Sequence, residues 1–94
     1  MIVLAIDTST DAVSVAVSNS KQLLASSHVL SDRRHAEQLA PIIKNVCEQA
    51  DISMREIDVV GVDIGPGLFT GMRVGIASAK TIAQVLDVPI IGIS

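Results

Sequence analysis

The run Gly65-Pro66-Gly67-Leu68-Phe69-Thr70-Gly71-Met72-Arg73-Val74-Gly75 constrains the fold most, because it joins a strand to a helix through a turn that ordinary residues make poorly. Four glycines and a proline in eleven residues describe a backbone chosen for shape, for close approach, or for both. Before it, Val59-Val60-Gly61-Val62-Asp63-Ile64 reads as a buried strand. After it, Thr70 reads as an N-cap, and Val74, Ile76, Ala77, Ile82, Ala83, Val85 and Leu86 supply the apolar positions of a helix. Gly71, Gly75, Ala77, Ser78 and Ala79 keep that helix small, which permits close packing on a sheet or a partner helix; each internal glycine costs roughly 0.5–1 kcal/mol of helical stability. Asp87-Val88-Pro89 stops the helix, and Ile90-Ile91-Gly92-Ile93-Ser94 reads as a last strand.

The N-terminal part is sheet-forming. Ile2-Val3-Leu4-Ala5-Ile6 is a continuous apolar run, as expected of a strand covered on both faces, and Asp7-Thr8-Ser9-Thr10-Asp11 supplies a polar turn. Ala12 through Val17 forms a second strand, and Ser18-Asn19-Ser20 turns into a third, about Gln22 to Val29, whose centre Ser26-Ser27 is polar. Three strands this close predict an antiparallel meander. Beyond Ser31-Asp32-Arg33-Arg34-His35, residues Leu39, Ile42, Ile43, Val46 and Cys47 recur at helical spacing and make one apolar stripe. Pro41 conflicts with a regular interior, so the helix kinks there or its regular bonding starts nearby. Ser53 followed by Glu56 has the spacing of a capping box.

At 94 residues the chain is one domain at most, with a modest core. That core is aliphatic, since there is no Trp or Tyr and a single Phe. A formal charge of −3 supplies no general electrostatic reason to bind nucleic acid, although it leaves a role beside RNA within a complex open. Cys47 has no partner for an internal disulfide and falls in the apolar helical pattern, as a buried thiol does. The short apolar start is interrupted by Asp7 and shows neither a basic leader nor a membrane span, and a cytoplasmic protein is expected. Because the sequence stops after a buried-looking strand, a complete protein is expected to continue beyond Ser94.

Several chemistries remain open at the polar positions. The glycine turn is plain geometry, an anion-binding helix start, or a turn and small-residue helix offered to a protein partner. It is not a Walker A loop, for it lacks the Gly-Lys-Ser/Thr ending and Lys80 lies nine residues past Gly71; a dinucleotide fingerprint fails for want of its third glycine. Asp7 followed by Thr8-Ser9-Thr10 either positions a metal-bound water and phosphate or makes an Asx or Ser/Thr turn. His35 and His28 each lack a second histidine at ligand spacing, so a solvated helix start and a lone strand residue are their expected roles. Arg33 and Arg34 beside Asp32 are weak evidence for an RNA or acidic-protein contact. Arg73 either pairs with a carboxylate such as Asp63 or snorkels at the surface.

Taken in order, Met1-Ile2-Val3-Leu4-Ala5-Ile6-Asp7-Thr8-Ser9-Thr10, Val13-Ser14-Val15-Ala16-Val17, His35 with Leu39-Ala40-Pro41-Ile42-Ile43, the Gly65–Gly75 run, Ala79-Lys80-Thr81-Ile82-Ala83 and Pro89-Ile90-Ile91-Gly92-Ile93-Ser94 resemble the N-terminal domain of the TsaB/YeaZ family. The resemblance covers essentially all 94 residues. Leu68 stands where that family usually has Ser and is similar to the paralogue TsaD, while Asp7-Thr8-Ser9-Thr10 favours TsaB. What the resemblance implies is an α/β domain of the actin-like ATPase (ribonuclease H-like) fold, with a mixed five-stranded sheet, strands 1–3 antiparallel, and helices packed against it. It implies that residues 1–94 are an N-terminal domain whose C-terminal companion is absent.

The function it implies is that of a non-catalytic scaffold or activator that binds TsaD and supports threonylcarbamoyl transfer to N6 of adenosine 37 of tRNA. Partners would be TsaD, TsaE through the TsaB–TsaD pair, a second copy when TsaD is absent, and tRNA indirectly, with no membrane. ATP and Mg would be used by the partners, with no intrinsic cofactor, no metal and no catalytic residue here. Asp7, Ser9 and Thr10 fall in a remnant phosphate region. Gly65, Pro66, Gly67, Gly71 and Gly75 are structural turn residues on this reading, and Leu39, Ile43, Val46, Met72, Arg73, Ile76 and Ala79 are the interface candidates, some of which must instead face the sheet. The alternatives are an ATP-binding kinase-like domain using Asp7 and the Gly65 turn, and a TsaD-like catalytic domain.

Overall fold

Strand-forming residues fold the N-terminal third back on itself twice: β1 (Val3–Asp7), β2 (Ala12–Ser18) and β3 (Leu23–Leu30) form an antiparallel meander. Helix α1 (His35–Gln49) and a 3-10 turn (Met54–Glu56) lead to β4 (Val59–Asp63), and α2 (Thr70–Leu86) leads to β5 (Ile90–Ile93). The computed structural model describes residues 1–8, 12–30, 35–63 and 70–93, and for 30, 35–38, 70–74 and 93 the backbone alone. Sheet order is β3-β2-β1-β4-β5, with β1 parallel to β4 and β4 parallel to β5. This is the mixed five-stranded sheet that the family resemblance implies.

Period-two alternation decides which face of the sheet is covered. Leu4 and Ile6 of β1, Val13, Val15 and Val17 of β2, and Val60 and Val62 of β4 are all buried. Register aligns them, with Leu4 opposite Val17 and Val60, and Ile6 opposite Val15 and Val62. Leu39, Ile43, Val46 and Cys47 of α1 and Ala79 and Ala83 of α2 complete the same cluster, so both helices lie on this one face. The opposite face carries Val3, Ala5, Ser14, Ala16, Ser26 and His28, all half-buried or exposed. The apolar run at the N-terminus therefore differs from its expectation: β1 is covered by helices on one face, among the described residues, because Ala5 alternates outward between Ala16 and Gly61. β3 tolerates its polar centre because it is an edge strand.

Local chemistry fixes the connections. Asn19 Oδ1 accepts from the backbone N–H groups of Lys21 and Gln22, both at 2.8 Å, which closes the β2–β3 turn. Ser53 and Glu56 form the expected capping box, with Ser53 N–H donating to Glu56 Oε2 at 2.6 Å and Arg55 N–H to Ser53 Oγ at 3.3 Å. Asp58 clamps the two central strands: Ile2 N–H donates to Asp58 Oδ2 at 2.7 Å, and Asp58 N–H returns a bond to the Ile2 carbonyl at 2.8 Å. Pro41 sits inside α1 at an exposed position, so its missing bond falls on the solvent side, where water can serve the orphaned carbonyl. Val85, read from spacing as an apolar helix position, is 79% exposed and points away from the core.

Both helices end alike. Asp51 N–H bonds the Glu48 carbonyl and Ile52 N–H that of Cys47, while Asp87 N–H bonds the Gln84 carbonyl and Val88 N–H that of Ala83. These are Schellman closures, with Asp51 at φ 57° and Asp87 at φ 55° in the left-handed position that favours glycine. Each aspartate also places a negative charge at a helix C-terminus with no basic residue in the last turn. Asp51→Gly and Asp87→Gly should each raise stability by about 0.5–1 kcal/mol, seen as an increase in the urea midpoint; a fall at both sites would contradict the caps described.

Candidate functional site

Two regions merit a functional reading: the end of the sheet where β1 and β4 stop, and the surface formed by the two helices. At the sheet end, Asp7 closes β1 and Asp63 closes β4 on the adjacent parallel strand. Asp7 is in register with Ser14, and Ser14 with His28. Ser14 Oγ and His28 Nδ1 are 2.6 Å apart, a hydrogen bond whose donor depends on the histidine tautomer. These four side chains, with Ala5, Ala16 and Ser26 among others, line a hollow of about 490 Å³ on the face opposite the helices. His28, read from sequence as alone, thus has a partner; pairing β2 and β3 across the Asn19 turn would have found it. Among the described residues no group of three or more His, Cys, Asp or Glu is placed to hold a metal ion. Ser9 and Thr10 of the expected phosphate region lie outside the described residues, as do Gly65, Pro66 and Gly67.

Thr8, directly after β1, is 2% exposed and packs against α2. A Cβ placed on Gly75 would overlap Thr8 Oγ1 and lie 3.4 and 3.5 Å from its Cβ and Cγ2. Gly75 is therefore glycine for close approach within the domain rather than for a turn.

The helix surface corrects the list of interface candidates. Leu39, Ile43, Val46 and Ala79 are at most 2% exposed and belong to the chain's own core. They seat the helices on the sheet, because an apolar stripe at helical spacing is satisfied by the nearest sheet first. Ile76 is half-buried against the same core. The side chains of Met72 and Arg73 lie outside the described residues, so the Arg73–Asp63 pairing does too. What spacing missed is the groove between the helices, about 320 Å³, lined by Leu39, Ala40 and Ile43 of α1 and Ala77, Ser78, Thr81 and Ile82 of α2. Ala40, Ala77 and Thr81 are exposed on it. Thr81 Oγ1 donates to the Ala77 carbonyl at 3.1 Å, so that hydroxyl asks nothing of an occupant. The signal was present as small residues one step off the core stripe of α2.

A burial effect bears on Cys47, which is 3% exposed; desolvation raises its thiol pKa and keeps it protonated. No helix among the described residues is long and apolar enough to cross a membrane.

Comparison with known proteins decides the lineage. A family model described as TsaD, tRNA N6-adenosine threonylcarbamoyltransferase, matches residues 13–94. The chain belongs to this family, on its TsaB side. TsaB of Buchnera aphidicola, a tRNA threonylcarbamoyladenosine biosynthesis protein, is 40% identical over 93 residues, covering 99% of this chain and 44% of that protein. The tRNA N6-adenosine threonylcarbamoyltransferase of Thermosipho melanesiensis is 37% identical, covering 100% of this chain and 34% of that protein, but over 109 residues. The TsaB match thus runs nearly without gaps, whereas the transferase match opens gaps against a chain of 94. The solved structure of YeaZ from Pseudomonas aeruginosa superposes with a TM-score of 0.90 at 33% identity, covering 99% of this chain and 43% of that one. The fold is the actin-like ATPase, ribonuclease H-like one. The chain spans less than half the length of these relatives.

Proposed function

We propose that this chain is the N-terminal domain of a TsaB-type scaffold in tRNA threonylcarbamoyladenosine biosynthesis, and that its α1–α2 groove docks a TsaD partner which carries out the transfer. The observation that carries this reading is the groove itself. Its floor is welded into the core by Leu39 and Ile43, while its rim of Ala40, Ala77, Ser78 and Thr81 is small enough for an apposed helix to approach closely. Similarity to TsaB over 93 residues, 99% of this chain, supports the same reading. In this reading the Asp7 turn is a remnant of a nucleotide site with no catalytic role. The groove takes a second copy when TsaD is absent, and TsaE joins through the TsaB–TsaD pair.

Ala77→Glu tests it, because the carboxylate adds charge at an exposed helix position and leaves the core alone. Binding to TsaD, measured by calorimetry, should weaken by about thirtyfold or more, equivalent to about 2 kcal/mol, with an unchanged far-UV spectrum. Undiminished binding would remove the groove from the interface.

A further inference from the structure

We infer that Thr8 is the positioning residue that sets the opening of the α1–α2 groove, although it lies beneath α2 and does not line the groove. The inference rests on the docking reading above and adds to it the element that holds the groove in shape.

The two helices are seated by different means. α1 rests on the long side chains of Leu39, Ile43 and Val46, whose volumes fix its height over the sheet. α2 rests on Gly75, Ala79 and Ala83, all buried and spaced one turn apart, which let its backbone ride close, while its longer side chains Ile76, Ile82 and Leu86 pack only partly buried against the core. Near its N-terminal half the stop comes from the sheet side instead. Thr8, almost wholly buried after β1, fills the volume that a side chain at position 75 would occupy, since a Cβ there overlaps its Oγ1. Ala77 and Ser78 of the groove stand two and three positions along the same helix. A helix moves as a rod over such distances, so a shift at Gly75 is a shift of the groove wall. The β-branched Thr8 side chain is stiff, which suits it to hold a fixed height.

The test is a double-mutant cycle on the full chain with purified TsaD as the probe, at a temperature where every variant is folded by circular dichroism. Thr8→Ala adds no atom and removes the stop; Gly75→Ala adds a methyl group against it. Each should weaken TsaD binding by about tenfold, and the double variant, whose new methyl refills the space vacated by threonine, should return to within about threefold of the wild type. Independent structural damage would instead add. Wild-type binding by folded Thr8→Ala, or a double variant no better than its worse parent, overturns the inference. Ala77→Glu run alongside separates the two claims: if it binds TsaD normally the docking reading itself fails, whereas loss at Ala77→Glu with normal binding by folded Thr8→Ala sinks only the role of Thr8.

Discussion

Ile43→Ala should lower the free energy of unfolding by about 2–5 kcal/mol, a large share of the ~5–15 kcal/mol that a domain possesses. Ile43 is 1% exposed on α1 and sits in the cluster with Val46, Leu39 and the inward valines of β2. Removing three carbons there leaves a void that a sheet on one side and a helix backbone on the other cannot close. The neighbouring Ile42 is only partly buried, so Ile42→Ala should cost less than about 2 kcal/mol. A urea titration followed by circular dichroism reads both, with the midpoint moving and the slope unchanged. Equal costs at the two positions would mean that α1 is rotated from the orientation described.

The second large effect comes from adding volume. Ala79 is fully buried on the close-lying stripe of α2, so Ala79→Leu should destabilise by about 1–3 kcal/mol as the helix is lifted from β4 and β1. Ala77→Leu, on the exposed side of the same helix, should change stability by no more than about 0.5 kcal/mol. The contrast is a direct measure of how tightly α2 lies on the sheet. A neutral Ala79→Leu would show slack beneath the helix and would undermine the argument that Thr8 sets its height.

Element by element, most of the fold is legible in the sequence. Valines at alternate positions, the Asn19 turn, the Ser53–Glu56 box and the stop at Asp87-Val88-Pro89 are local signals, and each produced the element it announces. The same stripe of Leu39, Ile43 and Val46 was harder to interpret, because periodicity reports that a face is buried and is silent on what buries it. Core and interface write the same pattern, and here the chain's own sheet claimed four of the residues first assigned to a partner. The Ser14–His28 bond and the Thr8–Gly75 approach depend on register and on helix depth, which are properties of the assembled sheet. The groove was hidden for a related reason: small residues such as Ala77 and Ser78 are legible as tolerance for closeness, and only geometry shows from which side something comes close.

The protected thiol of Cys47 has a practical consequence in a chain devoid of tryptophan and tyrosine. Tryptophan and tyrosine fluorescence and their near-ultraviolet absorbance give no signal from this domain, yet a soluble alkylating reagent can reach the sulfur when α1 parts from the sheet. Its rate of capture therefore serves as a built-in stopwatch for that opening, timed by the one atom whose chemistry the core holds in check.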